Sequence, residues 1–149
     1  MGLSDLLQDT ATRASLIDAC TQLIDEQVST KGGLGGMAIK TTYGLVKGVG
    51  PGYVSGAVGR LLPDMLTALD PIWGEGLQTG DPSAHLTAQR ARTADSLLSV
   101  TDARIANSSN GLVKTSYQRL RQSVKGDVEA AVPGLAQILA VHVTQVSTP

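Results

Sequence analysis

The side chains that most often carry catalysis or bind metals are sparse in this sequence. Its 149 residues include one cysteine, Cys20, and two histidines, His85 and His142. A single cysteine excludes an internal disulfide and a metal site built from several cysteines. Neither histidine has a second ligand at the spacing that zinc sites use, such as i+4 on a helix. We therefore predict no metal site, and expect His85 to be solvated and His142 to be packed within an apolar run.

Two short motifs resemble nucleotide-binding sequences only superficially. Residues 33–38, GLGGMA, fit the pattern G-x-G-x-x-G/A, but the dinucleotide-binding motif needs a preceding strand and an acid about 20 residues later. No acid occurs here between Glu26 and Asp64. Residues 39–41, IKT, match the end of a phosphate-binding loop, but with isoleucine where glycine is required. We therefore interpret residues 33–38 as a turn between helices and expect no bound cofactor.

The remaining reactive side chains have structural explanations. Cys20 lies on the apolar stripe of the first predicted helix, a position typical of a small buried core residue. Asp95 and Asp102 share a helix face, and we interpret them as surface ion pairs with the nearby Arg92 and Arg104. No group of residues makes an enzyme the preferred hypothesis, and we expect a protein without catalytic activity.

The most unusual part of the sequence is the stretch of residues 31–59, which holds ten of the 17 glycines. Gly44, Gly48, Gly52 and Gly56 recur every four residues, a spacing that places them on one face of a helix. Each glycine inside a helix costs about 1 kcal/mol relative to alanine. A face without side chains lets another backbone approach closely, as in small-xxx-small helix pairs. This face could pack inside the chain, or it could bind a partner helix or a flat apolar ligand.

Hydrophobic periodicity predicts helices throughout, because apolar residues recur at i, i+3, i+4 and i+7. Proline lacks an N–H and clashes with the preceding turn, so we expect Pro51, Pro63, Pro71 and Pro133 to interrupt helices. The predicted helices cover about residues 10–30, 36–49, 52–62, a short segment from 63, 82–107, 111–125 and 134–145. The sequence thus predicts an all-α, single-domain bundle of six to eight helices.

Two segments of the sequence align without a gap. Residues 39–58, IKTTYGLVKGVGPGYVSGAV, match residues 113–132, VKTSYQRLRQSVKGDVEAAV, at seven of 20 positions. The alignment predicts two related halves, about 1–76 and 81–149, packed around a pseudo-twofold axis. The aromatic residues that could contact a ligand or an interface, with core packing as the alternative, are Tyr43, Tyr117 and Trp73.

Positive charge is concentrated in residues 27–63 and 103–126, which contain no acid. These segments could face an anionic surface or a phosphorylated ligand, or they could be solvated faces whose cations suit helix C-termini. The cations that we consider are Lys40, Lys47, Lys114 and Arg121. A net charge of −1 and an aromatic content of 3% do not favour nucleic acid as a partner. No charge-free apolar window reaches 18 residues, so we do not expect a membrane span.

The whole chain resembles a family of small, uncharacterised bacterial proteins. The resemblance covers nearly all of the sequence and rests on four segments: MGLSDLL, KTTYGLVKGVGPGYV, LLPDMLTALDPIW and KTSYQRLRQSVKGDVEAAVPGL. The family has no assigned activity, so the resemblance supplies no catalytic residue and implies only a self-standing bacterial protein. The N-terminus lacks the basic and apolar regions of a secretory signal, and we expect a cytoplasmic location.

Three functions remain open at this point. The leading hypothesis is an interaction or scaffold protein that associates through its glycine-lined face, as a homodimer or with another protein. The first alternative is a carrier that holds a small apolar or amphiphilic ligand in a cavity between its helices. The second is a peripheral protein that uses its basic segments to bind a membrane surface.

Overall fold

The computed structural model describes residues 2–30 and 52–147 and, between them, residues 36–37, 40–41, 43–44 and 47–48. The predicted all-α class is confirmed: these residues include no strand, and those between 36 and 47 are also helical. The helices with defined bounds are a 3-10 helix (Leu3–Leu7), α1 (Thr10–Thr30), α2 (Tyr53–Thr79), α3 (Pro82–Ala88), α4 (Arg90–Ala106) and α5 (Gly111–Ser147). Of the turn predicted at residues 33–38, residues 36 and 37 are helical, and the others lie outside the described residues, as does Pro51.

The N-terminal 3-10 helix is fastened to α2. The Leu3 N–H donates to Asp70 Oδ1 at 2.7 Å, and Leu3 and Leu6 are fully buried. Helix α1 then begins after Asp9, which accepts hydrogen bonds from the N–H and the hydroxyl of Thr12 at 2.9 and 2.7 Å. This is the capping arrangement expected of an aspartate at that position, since it satisfies a free N–H of the first turn.

The prolines interrupt fewer helices than predicted. Pro63 and Pro71 lie inside α2, and Pro133 lies inside α5, so the predicted interruptions at these three prolines and the predicted gap at residues 126–133 are wrong. A proline inside a helix costs about 3 kcal/mol, whereas each fully buried leucine or isoleucine contributes about 1.5–3 kcal/mol. The buried residues of α2 continue at helical spacing across both prolines, so keeping the helix intact retains the larger contribution; they are Leu62, Leu66, Leu69, Ile72 and Trp73.

One predicted helix is instead divided. Residues 82–107 form α3 and α4, which are separated at Gln89, where the backbone has ψ of 32°. Asp81 caps α3 as predicted by accepting from the Ala84 N–H at 3.0 Å. Gly80, with φ of 101°, ends α2 in the left-handed conformation that favours glycine.

The core lies between the five α-helices: α2 contacts α1, α3 and α4, and α5 contacts the same three helices from its own side. It includes Cys20, as predicted, whereas Leu112 of α5 is 45% exposed. The buried members of the core are Leu3, Leu6, Leu16, Cys20, Leu62, Leu66, Leu69, Ile72, Trp73, Leu86, Leu97, Val132, Ala136 and Leu139.

Close helix contacts in this core depend on glycines outside the predicted glycine face. A Cβ built on Gly76 would lie 3.0 Å from the Cβ atoms of Pro82 and His85, and closer still to Pro82 Cα. A Cβ on Gly134 would lie 2.7 Å from Leu23 Cδ1. Helix α2 therefore approaches α3 at a position where a side chain does not fit, whereas the contact at Gly134 is with the flexible end of Leu23.

Candidate functional site

A groove of about 830 Å³ runs between the first three turns of α2 and the C-terminal part of α4. Alanines and aliphatic side chains of both helices line it together with charged and hydroxyl-bearing residues. Its lining comprises Tyr53, Ala57, Arg60, Leu61, Asp64, Ser99, Val100, Ala103, Arg104, Ile105, Asn107, Ser108, Ser109 and Val113.

Arg104 is held in place at the edge of the groove. Its Nη2 donates to the Arg60 carbonyl at 3.1 Å and lies 3.7 Å from Asp64 Oδ2. Arg104 thus connects α4 to α2, and Asp64 compensates its charge.

Arg60 differs from Arg104 in its electrostatic surroundings. Its guanidinium carbon lies 5.9 Å from the centroid of the Tyr53 ring, within the range of a cation–π interaction. None of the carboxylates in the described part of the chain is within 4 Å of it. The groove therefore contains two cations and one carboxylate, and its uncompensated charge is on Arg60.

A tyrosine, an aspartate and a cation form a cluster where α4 meets α5. The Tyr117 hydroxyl donates to Asp102 Oδ1 at 2.5 Å. Arg121, one turn after the tyrosine, donates to both carboxylate oxygens at 2.7 and 3.0 Å. These hydrogen bonds, that of Arg121 above all, hold the pKa of Asp102 below its usual value. Burial and the adjacent carboxylate raise the pKa of Tyr117, so the tyrosine stays neutral and donates.

The same three kinds of side chain meet in the first half of the chain. The Tyr43 hydroxyl donates to Asp25 Oδ1 of α1 at 2.5 Å. Lys47 Nζ lies 3.7 Å from that oxygen and 5.4 Å from the tyrosine ring centroid. Burial, followed by the hydrogen bond to Asp25, raises the pKa of Tyr43. Tyr43 and Lys47 correspond to Tyr117 and Arg121 in the sequence alignment, so aligned residues form the same cluster with an aspartate from the preceding helix.

A second, smaller groove of about 230 Å³ adjoins the Tyr43 cluster. Tyr53 lines this groove as well as the larger one, so the two lie on either side of the first turn of α2. The other residues around it are Thr21, Asp25, Tyr43, Lys47, Gly52, Val54 and Ser55.

The glycines at four-residue spacing do not lie on one continuous helix. Gly52 precedes α2 and has φ of 70°, a left-handed conformation that glycine adopts readily. Gly44 and Gly48 are exposed, and a Cβ on Gly44 would have no described atom within 4 Å. A Cβ on Gly56 would lie 3.4 Å from Arg60 Nη1. Among the described residues this face is open, and its role as an interaction surface stays a prediction.

The other predicted site residues lie apart from one another. Trp73 is 3% exposed and belongs to the core. Lys47 and Arg121 are paired with carboxylates in the two tyrosine clusters, which compensates two of the charges considered for an anionic surface. Lys40 is exposed on the helical segment between α1 and α2, and Lys114 is half-buried on α5.

Both histidines have hydrogen-bond partners. His142 is buried, as predicted, and its Nδ1 lies 2.7 Å from the Ile138 carbonyl, which can only accept, so Nδ1 carries the proton. Its Nε2 lies 3.0 Å from the Ser15 hydroxyl. His85, predicted to be solvated, is half-buried, and its Nε2 lies 3.0 Å from Glu75 Oε1. The expected solvation of His85 is wrong because α3 folds back onto α2.

The predicted ion pairs of α4 exist, but with other partners. Asp95 pairs with Lys125 at 2.9 Å, and Asp102 pairs with Arg121, both on α5. Arg92 donates to Glu75 of α2 at 2.8 Å. These pairs connect neighbouring helices, whereas the predicted pairs of Asp95 and Asp102 with Arg92 and Arg104 lay within one helix.

The groove was not among the predicted sites, although the sequence contains a feature that points to it. The two acid-free segments, 27–63 and 103–126, supply Arg60 and Arg104, and these segments meet at the groove. Pairing those segments in space required the contact between α2 and α4, which the periodicity of either helix does not reveal.

Across the described ranges, no His, Cys, Asp and Glu residues are grouped as metal ligands would be. None of the helices found in those ranges is long and apolar enough to cross a membrane.

The comparisons with known proteins identify a family whose function is unknown. The chain belongs to the family of unknown function DUF6918, whose model matches residues 3–143, and this confirms the resemblance to an uncharacterised family. No curated protein and no solved structure matches the chain.

Proposed function

We propose that this member of a family of unknown function is a non-enzymatic binding protein for a small amphiphilic molecule, held in the groove between α2 and α4. The observation that carries the proposal is the groove itself, about 830 Å³ in volume, whose lining combines apolar side chains with a few charged and hydroxyl-bearing ones. Ligand sites are typically concave and mostly apolar, have volumes of about 300–1,000 Å³ and contain a few placed polar groups.

The position of the groove fits the predicted division of the chain. Helix α2 belongs to the first predicted half, and α4 and α5 belong to the second. The two tyrosine clusters support the proposal that these halves arose by duplication, because the tyrosine and the cation of one cluster align with those of the other, although the two aspartates do not align. The ligand would then lie at the junction of the two halves.

The groove can be filled without disturbing the core. Ala103 lines the groove and Ala91 does not, yet both are exposed residues of the same helix, α4. We expect the neutral dye Nile red to bind the wild-type protein saturably with an increase in fluorescence. Ala103→Trp should reduce that binding at least tenfold, because the indole occupies the groove, whereas Ala91→Trp should bind as the wild type does.

Two results would contradict this proposal. One is the absence of saturable Nile red binding to the wild-type protein. The other is equal loss or equal retention of binding in Ala103→Trp and Ala91→Trp. A native mass spectrum of the untagged protein as purified provides an independent check, because a retained ligand would add its mass to the wild type and be absent from Ala103→Trp.

A second candidate function is self-association through the open glycine face. It is favoured by the exposure of Gly44 and Gly48 and by the space around a Cβ built on Gly44. If two copies pack closely there, Gly48→Leu should lower the dimer fraction measured by native mass spectrometry. Gly111→Leu, at another exposed glycine, should leave that fraction unchanged. A wild-type protein that stays monomeric at every concentration would exclude this function.

A further inference from the structure

We infer that the groove selects a single-chain amphiphile with an anionic head group, and that Arg60 binds this head group. This inference rests on the proposed function of the groove. It adds the charge of the ligand, the residue that recognises the charge, and the direction in which the alkyl chain lies.

The charge of the groove favours an anion. Arg60 and Arg104 contribute two positive charges to the lining, and Asp64 contributes one negative charge. Asp64 lies beside Arg104, at 3.7 Å, so the excess positive charge belongs to Arg60. Arg60 would repel a cationic ligand, and a neutral ligand would form no ion pair with it.

The guanidinium of Arg60 is suited to an oxyanion. A guanidinium presents N–H groups in a planar fork that matches the two oxygens of a carboxylate or phosphate. The Tyr53 ring lies 5.9 Å from it and gives it an apolar backing, while the hydrogen bond from Arg104 is accepted by the Arg60 carbonyl, not by its side chain. The N–H groups of Arg60 can therefore reach a head group without breaking an ion pair among the described residues.

The groove lies between two helices and follows α2 over three turns, an arrangement that suits one alkyl chain. The lining residues of α2 run from Tyr53 to Asp64, about 16 Å along the helix at 1.5 Å per residue. Leu61 and Ala57 on this side face Val100 and Ala103 on α4. A chain lying between the two helices would cover these apolar side chains while its head group contacts Arg60.

The test compares three competitors of the same chain length for bound Nile red, each below its micelle-forming concentration. They are laurate, 1-dodecanol and dodecyltrimethylammonium. For the wild type we expect laurate to displace the dye at a concentration about tenfold lower than dodecanol, because a charge-assisted hydrogen bond adds to the same apolar contact. The cationic competitor should be the weakest.

Variants of Arg60 assign the preference to that residue. Arg60→Gln should bring laurate to the level of dodecanol and leave dodecanol unchanged. Arg60→Lys should retain part of the preference for laurate. Arg90→Gln, an exposed arginine of α4 outside the groove, should behave as the wild type.

The possible failures are distinguishable. Equal displacement by laurate and dodecanol in the wild type would overturn the anionic head group and leave the proposed function intact. A preference for laurate that survives in Arg60→Gln would overturn the role of Arg60. Nile red that does not bind the wild type at all would overturn the proposed function and this inference with it.

Discussion

Gly76 offers the most direct test of the packing described here. A Cβ at this position would meet Pro82 and His85 at 3.0 Å or less, and the nearest of these atoms belongs to the backbone of α3, which cannot rotate away. Overpacking of this kind costs about 1–3 kcal/mol, and a backbone contact places Gly76→Ala at the upper end. Alanine recovers about 1 kcal/mol of helix propensity, so we expect a net loss of about 2 kcal/mol.

Gly74 provides a matched control for that substitution. It lies in the same helix, two residues earlier, and a Cβ there would have no described atom within 4 Å. Gly74→Ala should therefore stabilise the protein by about 0.5–1 kcal/mol through helix propensity alone. Urea unfolding followed by circular dichroism measures both changes, and the melting temperature of Gly76→Ala should fall by roughly 4–8 °C. If Gly76→Ala is as stable as Gly74→Ala, the close approach of α3 to α2 is wrong.

Three further predictions concern buried and paired groups. The hydrogen bond from Arg92, followed by that from His85, lowers the pKa of Glu75 from 4.5 to about 2, so the stabilisation by Glu75 is complete above pH 4.5 and is lost as the pH falls toward 2. Urea titrations should show Glu75→Gln to be less stable than the wild type at neutral pH, with the difference narrowing at pH 2. Burial raises the pKa of Cys20 to about 11, so iodoacetamide at pH 8 should leave the native thiol unmodified and alkylate it in urea. Tyr117→Phe should lower the unfolding free energy by about 1 kcal/mol through the loss of its hydrogen bond to Asp102, whereas Gln118→Ala, at the next, exposed position, should change it little.

The sequence was sufficient to predict helices but not to predict where long helices continue. The predicted helices overlap α1 to α5, although α3 and α4 were predicted as one helix, and Asp9 and Asp81 cap α1 and α3 as their side chains imply. The predicted breaks at Pro63 and Pro133 were wrong because they were based on the low helix propensity of proline alone. Side chains buried on both sides of each proline stabilise the continuous helix. Gln89, where a helix does break, carries no sequence signal of comparable strength.

The charged residues show a similar limit for the candidate site. Periodicity places Asp95 and Asp102 on one face of α4, but it does not say which helix lies opposite. Their partners Lys125 and Arg121 are about 20 or more residues away on α5. The groove likewise depends on the contact between α2 and α4. The acid-free segments contain Arg60 and Arg104, but the sequence does not show that these two residues line the same groove.

The two tyrosine clusters show what the two aligned segments share and where their structures begin to differ. In both, the aligned tyrosine and the cation four residues later hold an aspartate of the preceding helix, which fixes one helix pair. The segments diverge after this point, because Gly52 is left-handed before α2, whereas its aligned residue Gly126 lies within the continuous α5. Helix α2 begins directly after Gly52, and its first three turns form one wall of the groove. The position at which the two aligned segments differ therefore lies where the wall of the proposed binding groove begins.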